Sequence, residues 1–320
     1  MILSIILSLI LTVLIIRNRI FLGEKSSLID IPNKNKIHET PVYLFGGPII
    51  FLILLIFLIE QFDIAIFYSY QFLYIISFFM LGLIDDKVNL NSGYKIVFVI
   101  LFSSTLIFFD ESFLIHKIFL DISNNEFYFG KLKIPVTLFC ILLLYIAMNM
   151  SDGINCLLIS FSILAIFVLN LVIFNSIISL FDIAILFSLI ILFYLNYKNI
   201  IFLGNSGASL LVAYFIYKLI STNYLTQIDV FQVISIFIIM GIDMVRLVII
   251  RIFKQKNPFD RDLNHFHHLL LKKNNLFLTV IFYLILSFGP IILSYIIGIQ
   301  TAYLMPFPII VYFYLVNRLG

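Results

Sequence analysis

The sequence predicts an all-α fold: a polytopic helical bundle in a membrane, with about eleven spans, its N-terminus outside and its C-terminus cytoplasmic. Three observations carry this reading. Hydrophobic residues make up 62% of the 320 and charged residues only 12%, against roughly 25% in an ordinary soluble domain. The apolar residues fall into runs long enough to cross a bilayer. The basic residues gather on one set of the loops between those runs. This composition excludes a soluble enzyme and a disordered chain. A net charge of +3 is too small to mark a nucleic-acid binder. Trp is absent while Tyr numbers 17, so Tyr is expected to supply the interfacial belt. Cys140 and Cys156 lie in or beside apolar runs, form no CxxC, and suggest neither a zinc site nor a disulfide framework.

The runs follow in order. The first, about 1–16, has no basic residue before it and is followed by Arg17 and Arg19. A cleaved leader carries its charge in front of the apolar run, so this one reads as an uncleaved helix that enters from outside. The next runs are about 42–59, 64–84, 96–109, 134–149 and 157–174. The last are about 177–195, 207–220, 230–250, 276–297 and 300–316. Tilt, local thinning or burial accommodates the short ones. Alternating these spans from an outside start puts 16 of the 20 Lys and Arg, from Arg17 to Arg318, on one side. The other side receives Lys117, Lys131, Lys133 and Lys218. The basic side is therefore cytoplasmic. No repeat or interdomain linker interrupts the chain, so residues 1–320 read as a single transmembrane domain. The longest outside loop, about 110–133, holds the polar run Ser123 to Glu126 and is expected to form a short hairpin.

Polar clusters gather at the inner ends of these spans. Asp85 and Asp86 end span three in GLIDDKVNLNSGYK; Asn149, Asp152 and Asn155 end span five in NMSDGIN. Asn196 to Ser209 form the mouth of spans seven and eight in NYKNIIFLGNSGAS. Asp243 and Arg246 lie near the inner end of span nine, before His265, His267 and His268 in NPFDRDLNHFHHL. Asp30, Lys36 and His38 occupy the first inside loop. Ionisable groups at membrane depth are costly, and their default reading is functional. Adjacent carboxylates repel unless a cation or a proton relieves them. Mg²⁺ takes carboxylate oxygens and keeps water and substrate phosphate in its shell. Glycines at 204 and 207 let backbone approach phosphate oxygens, and the helix N-terminus after them favours an anion. Together these features describe phosphoryl transfer at the inner membrane surface.

Plainer readings stand beside each feature. Asp85–Asp86 can be a solvated helix end, and GNSG a turn between spans. The H-x-H-H cluster admits a zinc reading or a solvated loop, although no Cys accompanies it. Asp243–Arg246, at i,i+3, favours a structural ion pair. Asp182, near the outer end of span seven, reads as interfacial.

The motifs resemble those of the polyprenyl-phosphate N-acetylhexosamine-1-phosphate transferases, in order and over nearly the whole chain. LIDIPNKNKIH followed by GG at 46–47 resembles their first loop. GLIDDK resembles their Asp-Asp motif, NMSDGIN their N-x-x-D-G motif, and FLGNSGASLL their F-M/L-G-D-x-G-S motif. DRDLNHFHHLL resembles the D-R-x-H-x-H-H-L signature of the sugar-antigen branch rather than the peptidoglycan lipid I enzyme.

The resemblance implies a reaction in which undecaprenyl phosphate takes sugar phosphate from a UDP-N-acetylhexosamine and releases UMP. It would be the first membrane step of a cell-surface polysaccharide such as an O-antigen, on the cytoplasmic face of a bacterial inner membrane. By the same resemblance Asp85 and Asp86 would orient or deprotonate the lipid phosphate, and Lys95 would hold phosphate charge. Asp152 would lie beside Mg²⁺, with Mn²⁺ as an alternative. Asn149, Asn155 and Asn196 would line the nucleotide pocket. Arg261, His265, His267 and His268 would recognise diphosphate and sugar, with Lys36 and His38 at the edge of the site. The expected partners are the lipid bilayer, undecaprenyl phosphate and the UDP-sugar, without nucleic acid; a homodimer is an allowed assembly. Several positions depart from the pattern, among them a minor swap of small residues at Ala208 and Ser209. Asn205 stands where the family has a metal-binding Asp, Asn155 stands for a second Asp, and Cys156 stands for a Gly. Asn205 leaves open a degenerate relative that binds without turnover. A transporter of lipid-linked glycans is the alternative from another class, although such folds often carry internal repeats and midplane charges.

Overall fold

The structure, a computed structural model, describes residues 2–32, 40–60, 69–225, 227–258 and 262–319. It is built almost wholly of helices, with two small antiparallel strand pairs. Six helices among the described residues are long and apolar enough to cross a membrane. They are Ser92–Phe109, Gly130–Ser151, Leu180–Tyr197, Val230–Phe253, Leu276–Ile297 and Thr301–Leu319. A seventh follows if Leu3–Arg17 and Arg19–Ser26, bent by 75°, count as one span. Gly46–Glu60 and Leu157–Ile173 are apolar but shorter. The chain divides into two compact units.

The first unit comprises residues 1–110, 158–166 and 178–217. Its opening helix, Ile2–Arg17, exposes apolar side chains up to its closing Arg17 and buries polar ones. Leu3, Ile6, Leu7, Ile10, Val13 and Leu14 are exposed, while Ser4, Ser8 and Thr12, four apart on one face, are buried. Small side chains at i, i+4 let helices approach closely inside a bilayer. The helix packs on Gly46–Glu60, which buries Ile49, Ile50, Ile53, Leu54 and Phe57 in one stripe and packs in turn on Leu180–Tyr197. Strands Ile29–Asp30 and Val42–Tyr43 pair just before Gly46–Glu60. From there backbone bonds join Phe202 N–H to the Tyr43 carbonyl, and the N–H groups of Gly46 and Gly47 to the carbonyls of Phe202 and Leu203. These bonds fix the turn that launches the Gly204–Leu225 helix. Ser179 and Asp182 form a capping box at the start of Leu180–Tyr197. Asp182, expected at the interface, is instead buried and accepts the Tyr214 hydroxyl at 2.6 Å. A buried carboxylate needs such donors.

The second unit comprises residues 111–157, 167–177 and 218–320. The hairpin expected within about 110–133 is present, with Lys117–Leu120 antiparallel to Asn125–Tyr128. Lys133–Ser151 and Leu276–Ile297 both pack on Val230–Phe253. Asn275 caps the start of Leu276–Ile297, and Gly298 ends it in the left-handed conformation. The short Phe266–Leu271 helix packs on Leu276–Ile297 and Pro306–Leu319. It buries Phe266, His267, His268, Leu269 and Leu270.

Candidate functional site

The first unit assembles the Asp-Asp and GNSG motifs. Ser69–Val88 carries both carboxylates in its last turn. Asp85 is 3% exposed. Its Oδ2 meets Lys95 Nζ at 2.5 Å and its Oδ1 accepts the Leu90 N–H at 2.8 Å. Lys95 comes within reach because Asn91 caps a new helix, Ser92–Phe109, right after the turn. Asp86 points the other way. Its Oδ1 accepts the Asn205 N–H at 2.7 Å and its Oδ2 the Ser206 N–H at 3.0 Å. Those donors are free because the first N–H groups of a helix have no partner within it. Gly204 opens that helix at φ +74°, and a Cβ there would come within 2.8 Å of the Asp86 carboxylate. The Gly at 204 thus admits Asp86 as well as allowing the turn.

Repulsion between the two adjacent carboxylates is therefore relieved inside the protein: one meets an ammonium, the other two backbone dipoles. This differs from the expectation that the GNSG helix start presents free N–H groups to phosphate, since Asp86 already takes two of them. Lys95 likewise has a carboxylate partner before any phosphate is considered. Asn196, buried, turns its amide nitrogen to the Ile201 carbonyl at 3.3 Å and so shapes the approach to Gly204.

The second unit assembles the NMSDGIN and histidine motifs. Asp152 ends the Lys133–Ser151 helix. A Cβ on Gly153 would fall on His267 Nε2, with His268 Nε2 at 2.9 Å. Two imidazoles thus converge where residue 153 has no side chain. Cys156 follows at φ +63°, a conformation that favours glycine, which gives a local reason for the Gly that the resemblance expects. Asn149 donates to the Tyr145 carbonyl within its own helix.

Asp243 organises the histidines. Its Oδ2 lies 2.9 Å from His265 Nδ1. Its Oδ1 accepts the Phe266 N–H, an Arg246 guanidinium N–H and the Tyr312 hydroxyl. Arg246 also donates to the Asn264 carbonyl and the Tyr312 oxygen. The Asp243–Arg246 ion pair is present at 2.8 Å, and it belongs to this larger network. Burial holds His267 well below the usual imidazole range and His268 down to about 4, and the neighbouring imidazoles push both further. Both rings are therefore neutral near pH 7 and would meet a phosphate as hydrogen-bonding groups rather than as cations. His267 Nε2 is buried without a partner among the described residues.

Asp243, His265 and His267 lie close enough together to hold a metal ion. Their donors argue otherwise, since both Asp243 oxygens accept protein N–H or O–H groups and a guanidinium stands beside them. For Mg²⁺, every oxygen of Asp85 and Asp86 also has a protein donor. Asp152 offers a carboxylate of the kind a hard cation takes alongside water and substrate phosphate oxygens.

The structure thus brings Asp85, Asp86, Lys95, Asn196 and Asn205 into the first unit. It places Asn149, Asp152, Asn155, His265, His267 and His268 in the second. Lys36, His38 and Arg261 lie outside the described residues. Sequence reasoning missed Tyr312, which reaches the network from the final helix; nothing in YFYLVNRL distinguishes it from its aromatic neighbours.

No curated protein matches the chain. Residues 68–223, a little under half of the chain, match the family model described as Glycosyl transferase family 4. The matched segment contains the Asp-Asp, NMSDGIN and GNSG motifs, and it supports a membrane transferase of that family's kind, one that moves a sugar phosphate onto polyprenyl phosphate.

Proposed function

We propose that this protein transfers N-acetylhexosamine 1-phosphate from a UDP-sugar to undecaprenyl phosphate, at the cytoplasmic face of a bacterial inner membrane. In this reading eleven spans run from an outside N-terminus to a cytoplasmic C-terminus. A lipid phosphate oxygen attacks the β-phosphorus, a new P–O bond forms, and the bond to the α-phosphate breaks to release UMP. The products are UMP and a diphosphate-linked lipid sugar, the start of a cell-surface polysaccharide. Asp85, Asp86 and Lys95 serve the lipid phosphate; Asn149, Asn155, His265, His267 and His268 serve the nucleotide sugar. Mg²⁺, or Mn²⁺, held through Asp152 would supply charge neutralisation at the diphosphate. The observation that carries the reading is Asp86 seated on the N–H groups of Asn205 and Ser206, because it joins two motifs of the family-matched segment that lie far apart in sequence.

The test is lipid-dependent UMP release by the purified chain with undecaprenyl phosphate and a panel of UDP-N-acetylhexosamines. Release that disappears in Asp86→Ala supports the transferase, and the preferred sugar names the pathway's first step. Asn205 favours a second reading, a relative that binds these substrates without turnover. Release from Asn205→Asp but not from the native chain would decide for it. Silence from every variant, with no lipid product, would remove both and favour a transporter.

A further inference from the structure

We infer that Asp243 is a positioning residue for His265, setting which ring nitrogen His265 offers to a phosphate-bearing ligand. This rests on the nucleotide-sugar reading of the histidine motif and extends it to a residue in the body of a membrane helix. His265 is 7% exposed, and its ring makes one hydrogen bond among the described residues, from Nδ1 to Asp243 Oδ2. A carboxylate accepts there, so Nδ1 carries the proton and Nε2 is the ring atom without a hydrogen bond among the described residues. The carboxylate is fixed in its turn. Arg246 and Tyr312 bind Oδ1 from two different helices, and the Phe266 N–H ties the same oxygen to the residue after His265. Three donors thus hold Oδ1 while Oδ2 faces His265, so the imidazole's orientation follows from how these elements pack.

An amide cannot replace this carboxylate. One of its two ends would be an NH₂ group, facing either the His265 Nδ1–H or the three donors on Oδ1. Asp243→Asn should therefore release the ring or turn it over, and its effect should operate through His265.

The experiment is a double-mutant cycle on the full chain in detergent: native, Asp243→Asn, His265→Gln and the pair. The readouts are the Kd for UDP by calorimetry and kcat and KM for UMP release, all taken below each variant's melting temperature. Should Asp243→Asn not be recovered folded, Asp243→Glu takes its place in the cycle. The expected result is that Asp243→Asn weakens UDP binding about tenfold, and that the double variant binds no more weakly than His265→Gln. Two losses that multiply in the double variant would overturn the inference, because Asp243 would then act independently of His265. So would native-like UDP binding by Asp243→Asn with only a lowered melting temperature, since that is a structural role. A native chain that binds UDP but releases no UMP defeats the proposed turnover and leaves the binding cycle to decide the inference. A native chain that does neither overturns both.

Discussion

The Asp86 carboxylate accepts the backbone N–H of Asn205 at 2.7 Å, across 119 residues of sequence. With the bond from Ser206 it caps a helix from another part of the chain, a task usually given to the residue before the helix. Removing it in Asp86→Ala strands two N–H groups and should cost about 1–3 kcal/mol. A lowered melting temperature together with lost UMP release is expected. Unchanged stability would show that the cap is not formed.

Lys95 stands over a carboxylate that is almost wholly buried. Lys95→Met leaves Asp85 uncompensated, at a cost of about 3 kcal/mol. Asp85→Asn in the same background should recover most of the melting temperature, because the charge that needed Lys95 is gone. Thermal unfolding of the two variants side by side checks the pair, and equal melting temperatures would reject it.

Gly153→Ala should act on the histidines without disturbing the bundle. The added methyl group falls on His267 Nε2, and an overpacked contact costs about 1–3 kcal/mol. Displacing an imidazole by an ångström or so can lower turnover about a hundredfold. The expected pattern is a large fall in UMP release beside a small fall in melting temperature; the opposite pattern would make residue 153 structural only.

Folding stability should depend on pH through His267 and His268. Both are held below the ordinary imidazole value, His268 at about 4, so between pH 6.5 and 4 the unfolded chain binds more protons than the folded one. Stability then rises with pH across that window, and it is lost as pH falls from 6.5 towards 4. Melting temperatures from pH 7.5 to 4.5 should fall, with a shallower slope in His268→Gln. A slope equal to that of the native chain would remove His268 as a cause.

Chelation of divalent ions should abolish UMP release. Asn205→Asp should lower the Mg²⁺ concentration needed for half-maximal release by about tenfold, equivalent to roughly 1.4 kcal/mol of added attraction. A titration of both proteins measures it, and identical curves would place residue 205 away from the metal.

The sequence alone determined the class of the protein, because a bilayer selects for apolar runs of a given length and for basic residues on one side of them. It also singled out the motifs proposed to carry chemistry: Asp85 and Asp86, Asp152, Gly204 to Gly207 and the histidines all stand out at the ends of apolar helices. It did not reveal how they are joined. A run of residues says that Asp86 is costly to bury, but not that Asn205 and Ser206 supply the compensating donors, since those contacts depend on how the helices pack. Asp182 looked interfacial from its place near a span end, yet packing buried it against Tyr214. Asp243 and Arg246 were legible as an ion pair from their spacing, whereas His265 and Tyr312 came to them from other helices. Local pattern fixes what each helix must hide or expose. Only the tertiary structure decides which donor meets which acceptor, because hydrogen bonds are short and directional while hydrophobic burial is neither.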